Sequence, residues 1–106
     1  MPSDRLEALK GLVAQNPSDS RTRYMLAMEL TRQGDFEAAV QEYTALVAAD
    51  ADYVAAYYHG GQALERLDRI DEARVMYKRG IEACERTGDG HTKAELEGVL
   101  ELLGEH

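Results

Sequence analysis

Residues 24–49 read YMLAMELTRQGDFEAAVQEYTALVAA, and residues 58–83 read YHGGQALERLDRIDEARVMYKRGIEA. Laid one over the other, they repeat at a spacing of 34 positions. Tyr24, Leu30, Arg32, Ala39, Tyr43 and Ala49 return as Tyr58, Leu64, Arg66, Ala73, Tyr77 and Ala83. Phe36 returns as Ile70, Val47 as Ile81, and small Ala27 as small Gly61. A fixed period of this size is the mark of stacked units, each too small to bury its apolar face alone. The block therefore predicts a repeat architecture, whose usual use is to hold something.

Length and composition set the frame. A chain of 106 residues supports one domain with one continuous core. With 30% charged residues and an ordinary apolar share, a folded domain is expected, not a disordered one. The net charge of -8 argues against nucleic acid and anionic membrane as partners, because both call for a basic field. The acid gathers late: residues 85–106 hold Glu85, Asp89, Glu95, Glu97, Glu101 and Glu105 against Arg86 and Lys93. Arg outnumbers Lys nine to three, which fits either a salt-adapted source or GC-rich coding. Cys84 is alone, so neither a disulfide framework nor a thiol zinc site is expected. No apolar run approaches a membrane span, and no signal-peptide pattern opens the chain. A cytoplasmic, soluble protein is the expectation.

The periodicity is helical throughout. Leu6, Leu9, Leu12 and Val13 make a first stripe, with Ser3 as its N-cap. Asn16-Pro17-Ser18-Asp19 breaks it, and Ser18 or Asp19 can cap the next helix, which carries Tyr24, Ala27, Met28 and Leu30. Gly34 suits a left-handed C-terminal turn, and Asp35 can cap the third helix, with Phe36, Ala39, Val40, Tyr43, Leu46 and Val47. The fourth is expected from about Tyr53 to Leu67, and the fifth from Ile70 to roughly Arg86. Asp68, Asp71 and Glu72 supply acid at its start, where carboxylates complement the helix dipole. Thr87-Gly88-Asp89-Gly90 reads as a flexible loop, and Thr92-x-x-Glu95 as a capping box for a last helix bearing Leu96, Val99, Leu100 and Leu103.

Helix pairs with this period and these anchors resemble the tetratricopeptide repeat (TPR). The first copy offers Arg23, Leu26, Ala27 and Leu30, then Ala39 and Tyr43, with Ala51 at the closing-proline position. The second offers Tyr57, Gly60, Gly61 and Leu64, then Ala73 and Tyr77, with Glu85 at the end. Arg23 stands where the family has an aromatic, and Gly60 where it has Leu. The resemblance implies an all-α, right-handed α-α superhelix of stacked antiparallel hairpins with about six helices. Residues 1–106 form one domain: a half-repeat helix at 3–16, repeats at 20–53 and 54–87, and a capping helix at 91–103. Ala27 and Gly61 should face Ala39 and Ala73, and Tyr43 and Tyr77 should fill the gaps between hairpins.

In this family the first helix of each pair lines a concave groove. The resemblance thus places Arg21, Tyr24, Met28, Thr31 and Arg32 there, with Ala55, Tyr58, Gln62, Glu65 and Arg66 as counterparts. Tyr supplies contact area at low entropy cost, and Arg a fork matched to carboxylates. Arg21, Tyr24, Met28, Arg32, Tyr58, Gln62 and Arg66 are therefore the candidate partner-binding residues, for a protein or peptide partner with an acidic or C-terminal segment. Against that stands the plainer role of Arg32 and Arg66 as helix C-terminal charges. The chaperone-type clamp of one subgroup uses Lys and Asn; Tyr24, Met28, Tyr58 and Gln62 stand at those positions and do not support it.

Catalytic patterns are weak. His59, Cys84 and Asp68 could be named together, but nothing in the sequence joins them. Asp50-x-Asp52 starts like a calcium loop and fails at Ala55 and Gly61. His91 and His106 are isolated, and no phosphate-binding glycine loop is present. No enzyme activity, cofactor or metal is expected. The reading is a non-catalytic interaction module, monomeric or weakly dimeric. A self-associating scaffold without a peptide ligand is the alternative, and a small-molecule site the remotest.

Overall fold

A computed structural model describes residues 4–104, and the described chain is all helix and connecting turn. In order the helices are α1 (Asp4–Gln15), α2 (Ser20–Arg32), α3 (Phe36–Ala49), α4 (Val54–Arg66), α5 (Ile70–Thr87) and α6 (Gly90–Leu102). The expected N-cap Ser3 lies outside the described residues. Each helix packs on the next in sequence, so α2/α3 and α4/α5 form hairpins with α1 and α6 closing the two ends. The first helices of the pairs also touch, α2 with α4 and α4 with α6, whereas α1, α3 and α5 stay further apart. A stack whose one layer is closer-spaced than the other curves toward that layer. The α2/α4/α6 side is thus the concave one.

Local chemistry sets the helix ends. Asp19 caps α2 by accepting from the Thr22 amide at 3.3 Å and from its hydroxyl at 2.9 Å. Asp35 accepts from the Ala38 amide, and Gly34 takes a φ of 82° in the turn before it. The last junction corrects the sequence reading. Thr92 does not cap α6; Asp89 does, accepting from the Thr92 amide at 3.0 Å and hydroxyl at 2.8 Å. Gly88, at φ 76°, ends α5 directly before that cap, so residues 87–90 form a tight joint and not a flexible loop. Asp68 is likewise no helix-start residue: it sits at φ 59°, the left-handed position that Gly34 fills one repeat earlier.

The core runs unbroken along the stack. Ala27, Ala39, Ala73, Tyr43, Tyr77 and Leu96 are fully buried in it. Gly61 does not face Ala73 as its nearest neighbour. A Cβ there would lie 2.2 Å from Tyr77 Cε1, so Gly61 makes room for the tyrosine ring. Tyr43 does reach the next hairpin, where Gly60 has space for a Cβ only 3.2 Å from Tyr43 Cβ. At the following joint Tyr57 and Leu96 close over Gly80, bringing α4, α5 and α6 together.

The two departures from the family pattern now have a physical account. Arg23 sends one guanidinium nitrogen to Glu42 (2.8 Å) and another to the Pro17 carbonyl (3.3 Å). Its counterpart Tyr57 donates its hydroxyl to the Ala51 carbonyl at 2.7 Å, and Ala51 is the counterpart of Pro17. Both side chains fasten the same turn between units. Glu42 in turn corresponds to Met76, so an ion pair in the first unit replaces apolar packing in the second. Gly60 is glycine because Tyr43 and Met76 close on it.

Candidate functional site

The concave layer carries a run of aromatic rings. Tyr24 on α2 lies 5.2 Å from Tyr53 and 5.9 Å from His59, ring centre to ring centre. His59 meets Tyr58 edge-on at 5.4 Å, and Tyr58 leans on buried Tyr77 at 6.5 Å. Burial lowers the His59 pKa below the ordinary imidazole value, and a hydrogen bond with Gln62 opposes that shift. Burial likewise raises the hydroxyls of Tyr24 and Tyr53.

Beneath this run the paired tyrosines make equivalent polar contacts. The Tyr43 hydroxyl lies 3.1 Å from Thr31 Oγ1 and 3.1 Å from Met28 Sδ. The Tyr77 hydroxyl donates to the carboxylate of Glu65, the counterpart of Thr31. Burial pushes the Tyr43 pKa up to about 12, and burial plus the Glu65 contact raises that of Tyr77. These hydroxyls explain why the positions are tyrosine and not phenylalanine.

Two cavities open on the layer, and four positions of α2 recur at equivalent positions of α4 in their walls. One, of about 490 Å³, is lined by Arg5 of α1 with Tyr24, Met25, Met28, Glu29, Thr31 and Arg32 of α2. The other, of about 300 Å³, is lined by Thr31, Phe36, Gln62, Ala63, Glu65 and Arg66. Met28, Glu29, Thr31 and Arg32 in the first correspond to Gln62, Ala63, Glu65 and Arg66 in the second. Of the expected residues, Tyr24, Met28 and Arg32 thus meet in one cavity, and Gln62 and Arg66 in the other. Tyr58 joins the ring run between them. Arg21 lines neither cavity; it is exposed beside Tyr53 and Asp19, whose titrations its charge influences.

The two arginines have different surroundings. Arg32 pairs with Glu29, which is only 4% exposed and also meets Arg5 at 3.3 Å and Gln33 at 3.0 Å. The Arg32 and Gln33 hydrogen bonds, aided by both arginine charges, hold the Glu29 pKa down to about 2. Arg66 has Ala63 in place of that acid, and its guanidinium lies 4.5 Å over the Phe36 ring. Glu29, Arg5 and Phe36 are not among the expected residues. The sequence holds one hint of the first: Glu29 stands three and four residues before Arg32 and Gln33, the spacing of helical side-chain pairs.

Among the described residues, no group of three His, Cys, Asp or Glu side chains comes together as a metal site would need. Cys84 is buried near the end of α5 with its thiol pKa raised by that burial, and His59 has Tyr24, Tyr58 and Gln62 around it. Among the described residues, no helix is long and apolar enough to cross a membrane.

A solenoid of helical hairpins with a repeated, pocketed concave face defines a helical-repeat protein. The profile of the tetratricopeptide repeat matches residues 30–83, and the chain belongs to that family. A tetratricopeptide repeat domain protein from Salinibacter ruber, solved in solution, is 39% identical, covering 79% of this chain and 85% of its own, with a TM-score of 0.74. A crystal structure from the same organism gives 39% identity, 81% and 97% coverage, and a TM-score of 0.75. The type III secretion translocator chaperone SycD of Yersinia enterocolitica shares the fold at 17% identity, 95% and 70% coverage, and a TM-score of 0.87. No curated protein matches the chain. Tetratricopeptide repeats are in general protein-interaction modules without catalytic machinery.

Proposed function

We propose that the chain is a non-catalytic cytoplasmic module that holds a peptide or protein segment against its α2/α4/α6 face. Residues 20–53 and 54–87 are the two binding units, and the helix near 91–103 is a cap. The observation that carries this reading is the duplicated cavity, which recurs at equivalent positions of α2 and α4 with an arginine at each rim. Arg32 answers the buried Glu29 carboxylate, whereas Arg66 lies on the Phe36 ring, so no single packing role explains an exposed arginine at both places. Tyr24, Met28, Tyr58 and Gln62 supply contact area between them, and Arg21 stands at the edge. Two guanidinium forks in a chain of net charge -8 favour a partner segment carrying carboxylates.

The test is capture of partners from the source lysate by the wild-type chain and by Arg32→Glu combined with Arg66→Glu. Loss of capture with unchanged helicity supports the assignment. Capture that persists in the double variant refutes the role given to these residues.

A further inference from the structure

The two ends of the stack are complementary halves. Among the described residues, α1 occupies a second-helix position without a first helix beside it, and α6 a first-helix position without a second. Leu12 of α1 is half exposed, whereas its counterpart in α3, Leu46, is buried. At the other end, α4 turns Tyr58, Gly61 and Glu65 toward Tyr77 of its following helix. Matching the N-caps Tyr53 and Asp89 puts Ala94, Glu97 and Glu101 of α6 on the same face, and all three are exposed. Leu102 beside them is 87% exposed.

We propose that α6 of one copy of this chain docks into the cavity between α1 and α2 of a second copy, α6 and α1 together completing a hairpin. The existing α2/α4 joint shows what would meet. There, Tyr24 of α2 touches His59 of α4; the same two positions at the new joint are Ala94 and Met25, a small residue against an apolar one. There, Thr31 shares a cavity with Arg66; at the new joint those positions are Glu101 and Arg32. The charges are complementary. Arg5 and Arg32 converge on the single carboxylate of Glu29, leaving positive charge over, while the arriving face brings Glu97 and Glu101. The contact is heterologous, the two surfaces being different patches, so copies add head to tail and no rule closes the assembly at two. Docking continues the α2/α4/α6 layer from one copy into the next; it engages Arg32 of the receiving copy and leaves the α4 cavity with Arg66 open to a partner segment.

Sedimentation velocity of the full chain over a wide concentration range tests this. The mass should grow past that of a dimer as concentration rises, and high salt should reverse the growth. Glu97→Arg with Glu101→Arg blocks the arriving end, and Leu12→Glu blocks the receiving end. All three positions are exposed, so circular dichroism should match wild type. Each variant alone should need at least roughly tenfold higher concentration to assemble, the effect expected of setting like charges or an unpaired charge in a joint. An equimolar mixture of the two variants should form a one-to-one dimer and stop, because only one competent joint remains. A wild-type chain that stays monomeric at every concentration, an assembly that halts at a symmetric dimer, or a mixture that gives no dimer overturns the proposal. Arg66→Glu lies away from the joint; it should weaken partner capture and leave assembly intact, which separates failure of this inference from failure of the groove reading.

Discussion

Replacing Gly61 by alanine tests the packing that orders the concave layer. Alanine in a helix interior is ordinarily worth about 1 kcal/mol over glycine. At Gly61 that gain meets a wall. The new methyl would lie 2.2 Å from Tyr77 Cε1 and 2.6 Å from both Cδ1 and Cζ, and Tyr77 is fully buried. The ring has to move, and overpacking of this kind costs about 1–3 kcal/mol. Moving it also pulls the hydroxyl from Glu65, removing a hydrogen bond to a charged group worth about 1.5–3 kcal/mol. The sum is a net loss of about 3 kcal/mol, or a fall in Tm of roughly 12–24 °C at about 4–8 °C per kcal/mol. Two other glycines calibrate it. Gly98 has nothing within 4 Å of the place a methyl would take, so Gly98→Ala should gain up to about 1 kcal/mol. Gly60 meets Tyr43 Cβ at 3.2 Å and the flexible Met76 terminus at 3.3 Å, and its alanine variant should fall between the two. Urea and thermal unfolding of the three variants give the order. If Gly61→Ala stabilises the chain as Gly98→Ala does, the close approach of α4 to Tyr77 is wrong.

Three further outcomes are expected. Asp68→Gly should stabilise the chain by about 1 kcal/mol in urea unfolding, because a non-glycine residue at φ 59° carries left-handed strain that glycine does not. Glu42→Met alone should cost about 1–2 kcal/mol by leaving half-buried Arg23 without its acid, and Arg23→Tyr with Glu42→Met should recover most of it by installing the residues of the second unit; strict additivity of the two changes would refute the coupling. The pH profile of stability should show two acid losses. His59 has a depressed folded-state pKa, so its contribution is complete above the unfolded value of 6.5 and declines as pH falls through the lower folded value; His59→Gln should remove that step. Glu29 contributes fully above 4.5 and loses its contribution as pH falls toward about 2, a step that Glu29→Gln should abolish.

The fold is legible in the sequence because its determinants are local or periodic. The 34-residue echo, the Asp19 and Asp35 caps and the Gly34 turn each act within a few residues, and all stand where the sequence puts them. The last junction misleads because two caps compete there and two glycines suggest slack. One signal decides it: Asp19-x-x-Thr22 and Asp89-x-x-Thr92 are the same pattern, with the aspartate capping and the threonine hydroxyl returning to it. The candidate site is legible only in part. Helical counting places Met28, Arg32, Gln62 and Arg66 on cavity walls, since one helix face is a matter of period. Counting cannot show what approaches that face from another helix. Arg5 and Phe36 enter the cavities from α1 and α3, and Arg5 of α1 meets the buried Glu29 carboxylate from across the helix pair.

Identity of letters between the two units is therefore not identity of role. Arg23 and Tyr57 differ in every chemical respect except a donor at the tip, and both fasten the same turn carbonyl. Arg32 and Arg66 are the same residue at the same position, yet one is drawn to a buried carboxylate and the other lies on an aromatic ring. A guanidinium already paired with an acid accepts a second carboxylate only by sharing its donors. One lying on a ring keeps its edge donors free for a new partner. Arg66 should consequently meet an acidic partner group at lower cost than Arg32, and the α2/α4/α6 face is electrostatically uneven along its length. For a segment carrying carboxylates, such unevenness would set the register along the face, which two identical units would leave open.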